Sequence, residues 1–242
     1  MRAIILAAGQ GGRLFPLTAD RPKALLDLHG RSILEHQMAL LERTGVDDLI
    51  IVTGYEAQKI HEAAGKSARF VYNADYQTTN SLYSLWTARA YLNQACLVLN
   101  SDVLFHPGIV ERLLADAAPD ALAIDFRGGL GEEEMKVQTR QGVIVRISKD
   151  MPPAEAEGEN TGIVKLSVEG AKAVIGVAEE CRARGELRHW VPYAVGTLVG
   201  RRPFKAVDIT GLPWIEIDYR HDLERARREV LPQILAALRE GS

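Results

Sequence analysis

The chain has 242 residues, with 29 Lys and Arg against 32 Asp and Glu and a formal charge of −3. That balance excludes the basic footprint of a nucleic-acid binder or a polybasic membrane contact, and no run approaches the roughly 20 apolar residues of a membrane span. The length supports a full hydrophobic core, and the only cysteines, Cys96 and Cys181, indicate neither a disulfide framework nor a zinc cluster.

The apolar run Arg2–Ala7 is too short for a signal peptide and leads directly into glycines. It reads as a buried parallel strand, and the expected compartment is the cytoplasm. Ser32-Ile33-Leu34-Glu35 has the form of a capping box, and Leu34, Met38 and Leu41 follow at helical spacing. Leu49–Thr53 is a second buried strand closed by Gly54, Phe70–Tyr72 a shorter third, Ser81–Leu92 a helix, and Cys96–Asn100 a fourth strand ending at Ser101-Asp102. Strands alternating with helices imply a doubly wound, mostly parallel sheet.

The middle of the chain changes character. Met135–Thr139 and Gly142–Ser148 form a predicted β-hairpin around Arg140-Gln141, after the glycine-rich stretch 128–134. Thr161–Ser167 follows as a strand and Ala171–Arg184 as a helix. Lys205–Asp208 and Trp214–Ile217 are further short strands, before an amphipathic helix from about Asp222 to Arg239. There is no internal repeat and no long linker. One domain over 1–242 is expected, with a nucleotide-binding half at 1–105 and an acceptor-binding half at 106–242.

The segment Leu6-Ala7-Ala8-Gly9-Gln10-Gly11-Gly12-Arg13-Leu14, followed by Arg21-Pro22-Lys23, carries the most chemistry. Glycines bring backbone N–H groups against an anion, and Arg13 and Lys23 add fixed positive charge where phosphate oxygens would lie. The loop is neither a P-loop, which needs Gly-Lys-Ser/Thr, nor a dinucleotide fingerprint, whose third glycine is replaced by Leu14. It reads as a nucleoside triphosphate site.

Two aspartates, Asp102 and Asp218, follow predicted strands, where ligands of open parallel sheets bind. Hard carboxylate oxygens suit Mg²⁺, which a triphosphate needs for charge neutralisation. The alternative for each aspartate is a helix cap. Glu216 alternates with Asp218 on one strand face and is placed to support the metal set. Asn80 and Ser81 begin a predicted helix, where they cap it or read a pyrimidine edge. Lys149 ends the second hairpin strand and is placed to neutralise an acceptor phosphate, with Lys136 a second candidate. Tyr83, Trp86, Trp190, Tyr193 and Trp214 are candidates for cation–π contact with a quaternary ammonium, Trp190 and Tyr193 foremost. The acidic run Glu132–Glu134 reads as a solvated turn.

Leu6–Leu25 resembles the signature of nucleotidyltransferases, L-A-A-G-x-G-x-R-L-x-P-L-T-x-x-x-P-K, and satisfies it throughout. The resemblance implies a Rossmann-like α/β fold of the nucleotide-diphospho-sugar transferase type, with a small hairpin and helix insertion on the acceptor side. It implies that Leu6, Ala7, Ala8, Gly9, Gly11 and Gly12 line the nucleotide, that Arg13 and Lys23 hold the triphosphate, and that Asp102 and Asp218 bind Mg²⁺. The segments Asn73–Leu85, Glu133–Val137, Ile147–Lys149 and Gly158–Ile163 are similar to cytidylyltransferases acting on phosphocholine and related small phosphates or phosphonates. This adds Glu159 to the acceptor-side candidates. Where sugar-phosphate members carry Glu-Lys-Pro, this chain has Ser148-Lys149-Asp150. The expected substrates are CTP and a small phosphate or phosphonate, with a homodimer as a further expectation. The alternatives are a sugar 1-phosphate or inositol phosphate acceptor, and a nucleotide-binding domain without turnover.

Overall fold

The computed structural model describes residues 1–240. Arg2–Ala7 is buried along its whole length, as its apolar run demands, and pairs in parallel with Asp48–Thr53 on one side and Cys96–Asn100 on the other. The sheet runs from edge to edge as Ala68–Tyr72, Asp48–Thr53, Arg2–Ala7, Cys96–Asn100, Gly158–Leu166, Ala121–Asp125, Lys205–Asp208, Val143–Ser148 and Lys136–Arg140. Gly158–Leu166 and Val143–Ser148 are antiparallel to their neighbours, and the remaining neighbours are parallel.

Side chains alternate across the sheet, so each face has its own core. Ala3, Ile5 and Ala7 pack on one side with the Ile33–Arg43 helix and the C-terminal helical stretch. Ile4, Leu6 and Ala8 pack on the other with Ser81–Thr87 and Val168–Ala183. The Ser32 capping box is present, with Glu35 N donating to Ser32 Oγ and Ser32 N donating to Glu35. The hairpin forms as expected, with its turn at Gln141-Gly142. Among the described residues, no helix is long and apolar enough to cross a membrane.

The elements not expected from the sequence include the strands Val103–Phe105 and Ala121–Asp125 and the helices Ala57–Ala64 and Val191–Leu198. Trp214–Glu216 is a strand, but it stands outside the main sheet and pairs antiparallel with Val103–Phe105. This corrects the expectation that Asp218 follows a strand of the main sheet. Neither aspartate caps a helix. His106 caps Pro107–Ala115 by accepting from Gly108 N, and Tyr219 and Asp222 close the start of the helix at Arg220.

Candidate active site

At the carboxyl ends of the central strands lies a cleft of about 790 Å³. The glycine loop forms one wall. Gly11 adopts φ +78, and a Cβ there would lie 2.7 Å from Lys23 Cβ, so the loop seats on the Lys23 stem only as glycine. Thr18 Oγ1 and Leu14 N both donate to Gly11 O and fix the turn.

The small two-stranded sheet assembles the charged floor. Glu216 is paired with Val103, and Ile217 N donates to Asp102 O at 2.9 Å, which brings Glu216 and Asp218 beside Asp102. Lys23 Nζ lies 2.8 Å from Asp102 and 2.5 Å from Asp218. Arg13 reaches the other Asp218 oxygen at 2.6 Å and stacks its guanidinium on Tyr219, 5.0 Å from the ring centre. Desolvation acts against the Lys23 ammonium, but Asp102 and Asp218 outweigh it and hold its pKa above the ordinary value. Desolvation likewise acts against the Asp218 carboxylate, and Lys23 and Arg13 still keep its pKa low. Glu216 is half-buried; desolvation first, then the charges of Asp102 and Asp218, push it up to about 8 against the opposing pull of Lys23 and Lys149.

The same floor fits a divalent cation. Asp102, Glu216 and Asp218 present carboxylate oxygens within 4.8 Å of one another, and Asp102 Oδ1 is buried with no hydrogen-bond partner. Hard oxygen donors of this kind match Mg²⁺. A second convergence, of Cys181, Glu186 and His189, lies outside the cleft, and there Arg184 already donates to both Glu186 and Cys181.

Of the residues expected from the sequence, Leu6, Ala8, Gly9, Gly11, Gly12, Arg13, Lys23, Asn80, Ser81, Asp102, Lys149, Trp190 and Asp218 all line this cleft. Asn80 caps the Ser81–Thr87 helix, accepting from Ser81 N, while Ser81 Oγ accepts from Val191 N and ties the two walls together. Lys149 Nζ lies over the Trp190 ring at 5.4 Å.

Four expected residues do not line the cleft. Ala7 faces the opposite core by strand alternation. Lys136 is 0 % exposed, and its ammonium donates to the carbonyls of Gly131, Glu132 and Glu134. It therefore shapes the loop whose Glu133 and Met135 do line the cleft, and is not itself free for an acceptor. Tyr193 stacks on His189 at 3.7 Å. Glu159 pairs in register with Asp125 and Lys136, and the neighbouring Asn160 takes the cleft side. The other aromatic candidates are also committed elsewhere. Tyr83 donates to Asp75, Trp86 lies between Arg89 and Arg182, and Trp214 Nε1 donates to buried Asp125.

The position of Glu159 has a measurable consequence. Desolvation first, and then the charges of Glu134 and Asp125, push its carboxyl up to about 7. Between the ordinary carboxylate range near 4.5 and this value, the folded protein holds a proton that the unfolded chain releases. Stability therefore falls as pH rises through that window. Glu159→Gln is expected to melt higher than the parent at pH 8 and close to it at pH 4, a difference on the order of 1–3 kcal/mol. Identical pH dependence of melting in the two proteins would contradict the placement of this carboxyl.

Several cleft residues were not singled out from the sequence. Tyr76, Ser84 and Glu133 stand in the segments Asn73–Leu85 and Glu133–Val137 noted for their resemblance, Glu133 also in a run that reads as a solvated turn, whereas Asn100 and Pro192 have no motif spacing. Asn160 and Gly162 stand in the segment Gly158–Ile163, already noted for its resemblance, one position away from the residue chosen.

A glycine loop over two cations, facing Asp102 after a parallel strand of the main sheet and Asp218 beside it after a strand of the small antiparallel sheet, is the arrangement of a nucleotidyltransferase. Residues 3–195 match the MobA-like NTP transferase domain, and the chain belongs to that family. It is 29% identical over 248 residues to a CMP-5'-(3-aminopropyl)phosphonate synthase of Streptomyces rubellomurinus, covering 93% of this chain and 38% of that protein. It is 25% identical to the CTP:phosphoglutamine cytidylyltransferase of Campylobacter jejuni, covering 93% and 98% of the two chains. The fold matches the solved CTP:phosphocholine cytidylyltransferase of Streptococcus pneumoniae with a TM-score of 0.78 at 22% identity, covering 93% and 97%.

Proposed function

We propose that this protein is a Mg²⁺-dependent cytidylyltransferase that transfers CMP from CTP to a small phosphate or phosphonate. The observation that carries the reading is Lys23, held between Asp102 and Asp218 at the mouth of the glycine loop, with Lys149 in the same cleft. The choice of cytidine, and of a small acceptor over a sugar phosphate, rests on the likeness to enzymes named for CMP or CTP transfer to such compounds.

The reaction forms a bond from an oxygen of the acceptor phosphate or phosphonate to the α-phosphorus of CTP. The bond from that phosphorus to the bridging oxygen breaks, and pyrophosphate leaves in line with the negative charge. No protein nucleophile is needed, because the chain's task is positioning and charge neutralisation. Backbone amides of the glycine loop receive the phosphates. Arg13 and Lys23 exchange their aspartate partners for phosphate oxygens and hold the leaving pyrophosphate. Asn80 and Ser81 lie on the wall available to the base. Lys149 neutralises the acceptor anion, whose approach to the α-phosphate is otherwise opposed by like charge in a low-dielectric cleft. Asp102 and Asp218, with Glu216 beside them, would hold the Mg²⁺, which when bound supplies Lewis-acid stabilisation of the nucleotide's phosphate oxygens.

A pyrophosphate-release matrix tests the reading, with four NTPs against phosphocholine, phosphoethanolamine, small phosphonates and sugar 1-phosphates. Release is expected with CTP and the small acceptors. CTP-dependent release confined to sugar phosphates would overturn the acceptor class. Binding of nucleotide with no release on any acceptor would favour a non-catalytic domain.

A further inference from the structure

The helix Ile33–Arg43 turns a buried stripe toward the sheet, formed by Ile33, Leu34, Gln37, Leu40 and Leu41. Four of these are the aliphatic residues that such a stripe demands. Gln37 is the polar one, and it is 0 % exposed. A carboxamide is costly to bury unless it is hydrogen-bonded, so its partners indicate what it serves.

Those partners bracket Asp102. Gln37 Nε2 donates to Asn100 O at 2.8 Å and to Val103 O at 2.7 Å. Asn100 ends one strand, Val103 begins the next, and the Ser101-Asp102 turn between them carries the cleft carboxylate. One amide nitrogen has two hydrogens, so a single side chain ties down both ends of that turn. The flipped amide would set Oε1 against two carbonyl oxygens, which excludes it. Oε1 itself has no hydrogen-bond partner among the described residues. It is therefore the nitrogen that accounts for a polar group at this place in the core.

The same turn also sets the second aspartate. Asp102 O accepts from Ile217 N, and Val103 is in register with Glu216. The backbone that Gln37 holds is thus the one against which Glu216 and Asp218 are placed. Gln37 itself does not line the cleft.

We propose that Gln37 is a positioning residue for nucleotidyl transfer, holding the Asp102 carboxylate, and through Ile217 that of Asp218, in place for a divalent cation. The inference rests on the nucleotidyl-transfer reading. It adds to that reading a group that never meets substrate and acts through the two aspartates.

Gln37→Met tests it, since methionine keeps the length and an apolar fit but removes both donors. The substitution is expected to lower kcat for pyrophosphate release by about tenfold to a hundredfold, the scale on which partners that orient metal ligands act. The Mg²⁺ concentration for half-maximal rate is expected to rise by about tenfold, with KM for the acceptor close to the parent's. The midpoint of the rise in melting temperature on adding Mg²⁺ alone, with no substrate present, is expected to move to higher concentration in parallel. In the Asp102→Asn background, Gln37→Met is expected to change kcat by less than about twofold, because the group it acts through is already gone. Leu41→Ala, one turn along the same stripe, controls for loosened packing. It is expected to melt lower than the parent and to keep the parental Mg²⁺ midpoints. All rates are taken well below the lowest melting temperature of the set. Parental kcat and Mg²⁺ midpoints in Gln37→Met overturn the inference and leave nucleotidyl transfer standing. So do effects of Gln37→Met and Asp102→Asn that multiply, or a Mg²⁺ shift in Leu41→Ala equal to that in Gln37→Met. Absence of pyrophosphate release by the parent with every acceptor overturns the underlying reading and this inference with it.

Discussion

Lys23→Ala is expected to lower kcat/KM for CTP by about 10³-fold, in line with the loss of a cation that stabilises charge at the transferring phosphates. Lys23 touches both Asp102 and Asp218, at 2.8 and 2.5 Å, and its stem fills the turn at Gly11. Without it, a triphosphate would meet three carboxylates with Arg13 and, farther along the cleft, Lys149 as the remaining cations. The substitution also leaves two carboxylates short of a partner, so a lower melting temperature accompanies it. Lys23→Arg separates the two effects. It keeps the positive charge and much of the stability but not the compact ammonium between the aspartates, and it is expected to remain well below the parent in turnover. Pyrophosphate release measured beside a thermal melt reads both quantities. Turnover by Lys23→Ala within tenfold of the parent would contradict the role given to this lysine.

Asp102→Ala is expected to be as severe in turnover and milder in stability. One Asp102 oxygen accepts from Lys23, which keeps Asp218 as a second partner when Asp102 is removed. The other is buried without a hydrogen bond, an arrangement that costs about 1–3 kcal/mol unless something binds there. Folding is therefore not what this carboxylate is placed to serve. Removing it is expected to reduce pyrophosphate release by about 10³-fold or more at saturating CTP, with the melting temperature close to that of the parent. Asp102→Asn, which keeps the shape and removes the charge, is expected to behave alike. A rise in melting temperature on adding Mg²⁺ that is lost in both variants would tie the residue to the ion by a readout independent of turnover. Near-parental release in Asp102→Ala would remove Asp102 from the reaction.

The glycine-loop wall of the cleft was legible in the sequence because its causes are local. A buried apolar strand, a turn that only glycine can make at Gly11, and two cations at fixed spacing all follow from neighbours in the chain. The rest of the cleft depends on registers and pairings that periodicity does not carry. Trp214–Glu216 reads as a strand, yet its partner Val103–Phe105 is three residues long and lies more than a hundred positions away. That pairing, and not an edge of the main sheet, sets Asp218 beside Asp102. Glu159 and Asn160 differ by one residue, and a one-residue step in a strand exchanges the two faces. Ala7 fails by the same alternation. Lys136 presents a different limit: a lysine at the start of a hairpin strand is ordinarily exposed, and only the fold of the 131–134 loop around it supplies carbonyls that let it be buried. That same fold turns Glu133 from a residue of a charged run into a wall of the cleft.

The proposed joining of a nucleoside triphosphate to a small phosphorus acid in one cleft is tested most directly by ³¹P NMR of the protein with CTP, Mg²⁺ and 2-aminoethylphosphonate. One pyrophosphate and one CMP–phosphonate anhydride are expected to appear together, in equal amounts, as CTP is consumed. Pyrophosphate accompanied by free CMP, or CTP that binds and stays intact, would contradict it.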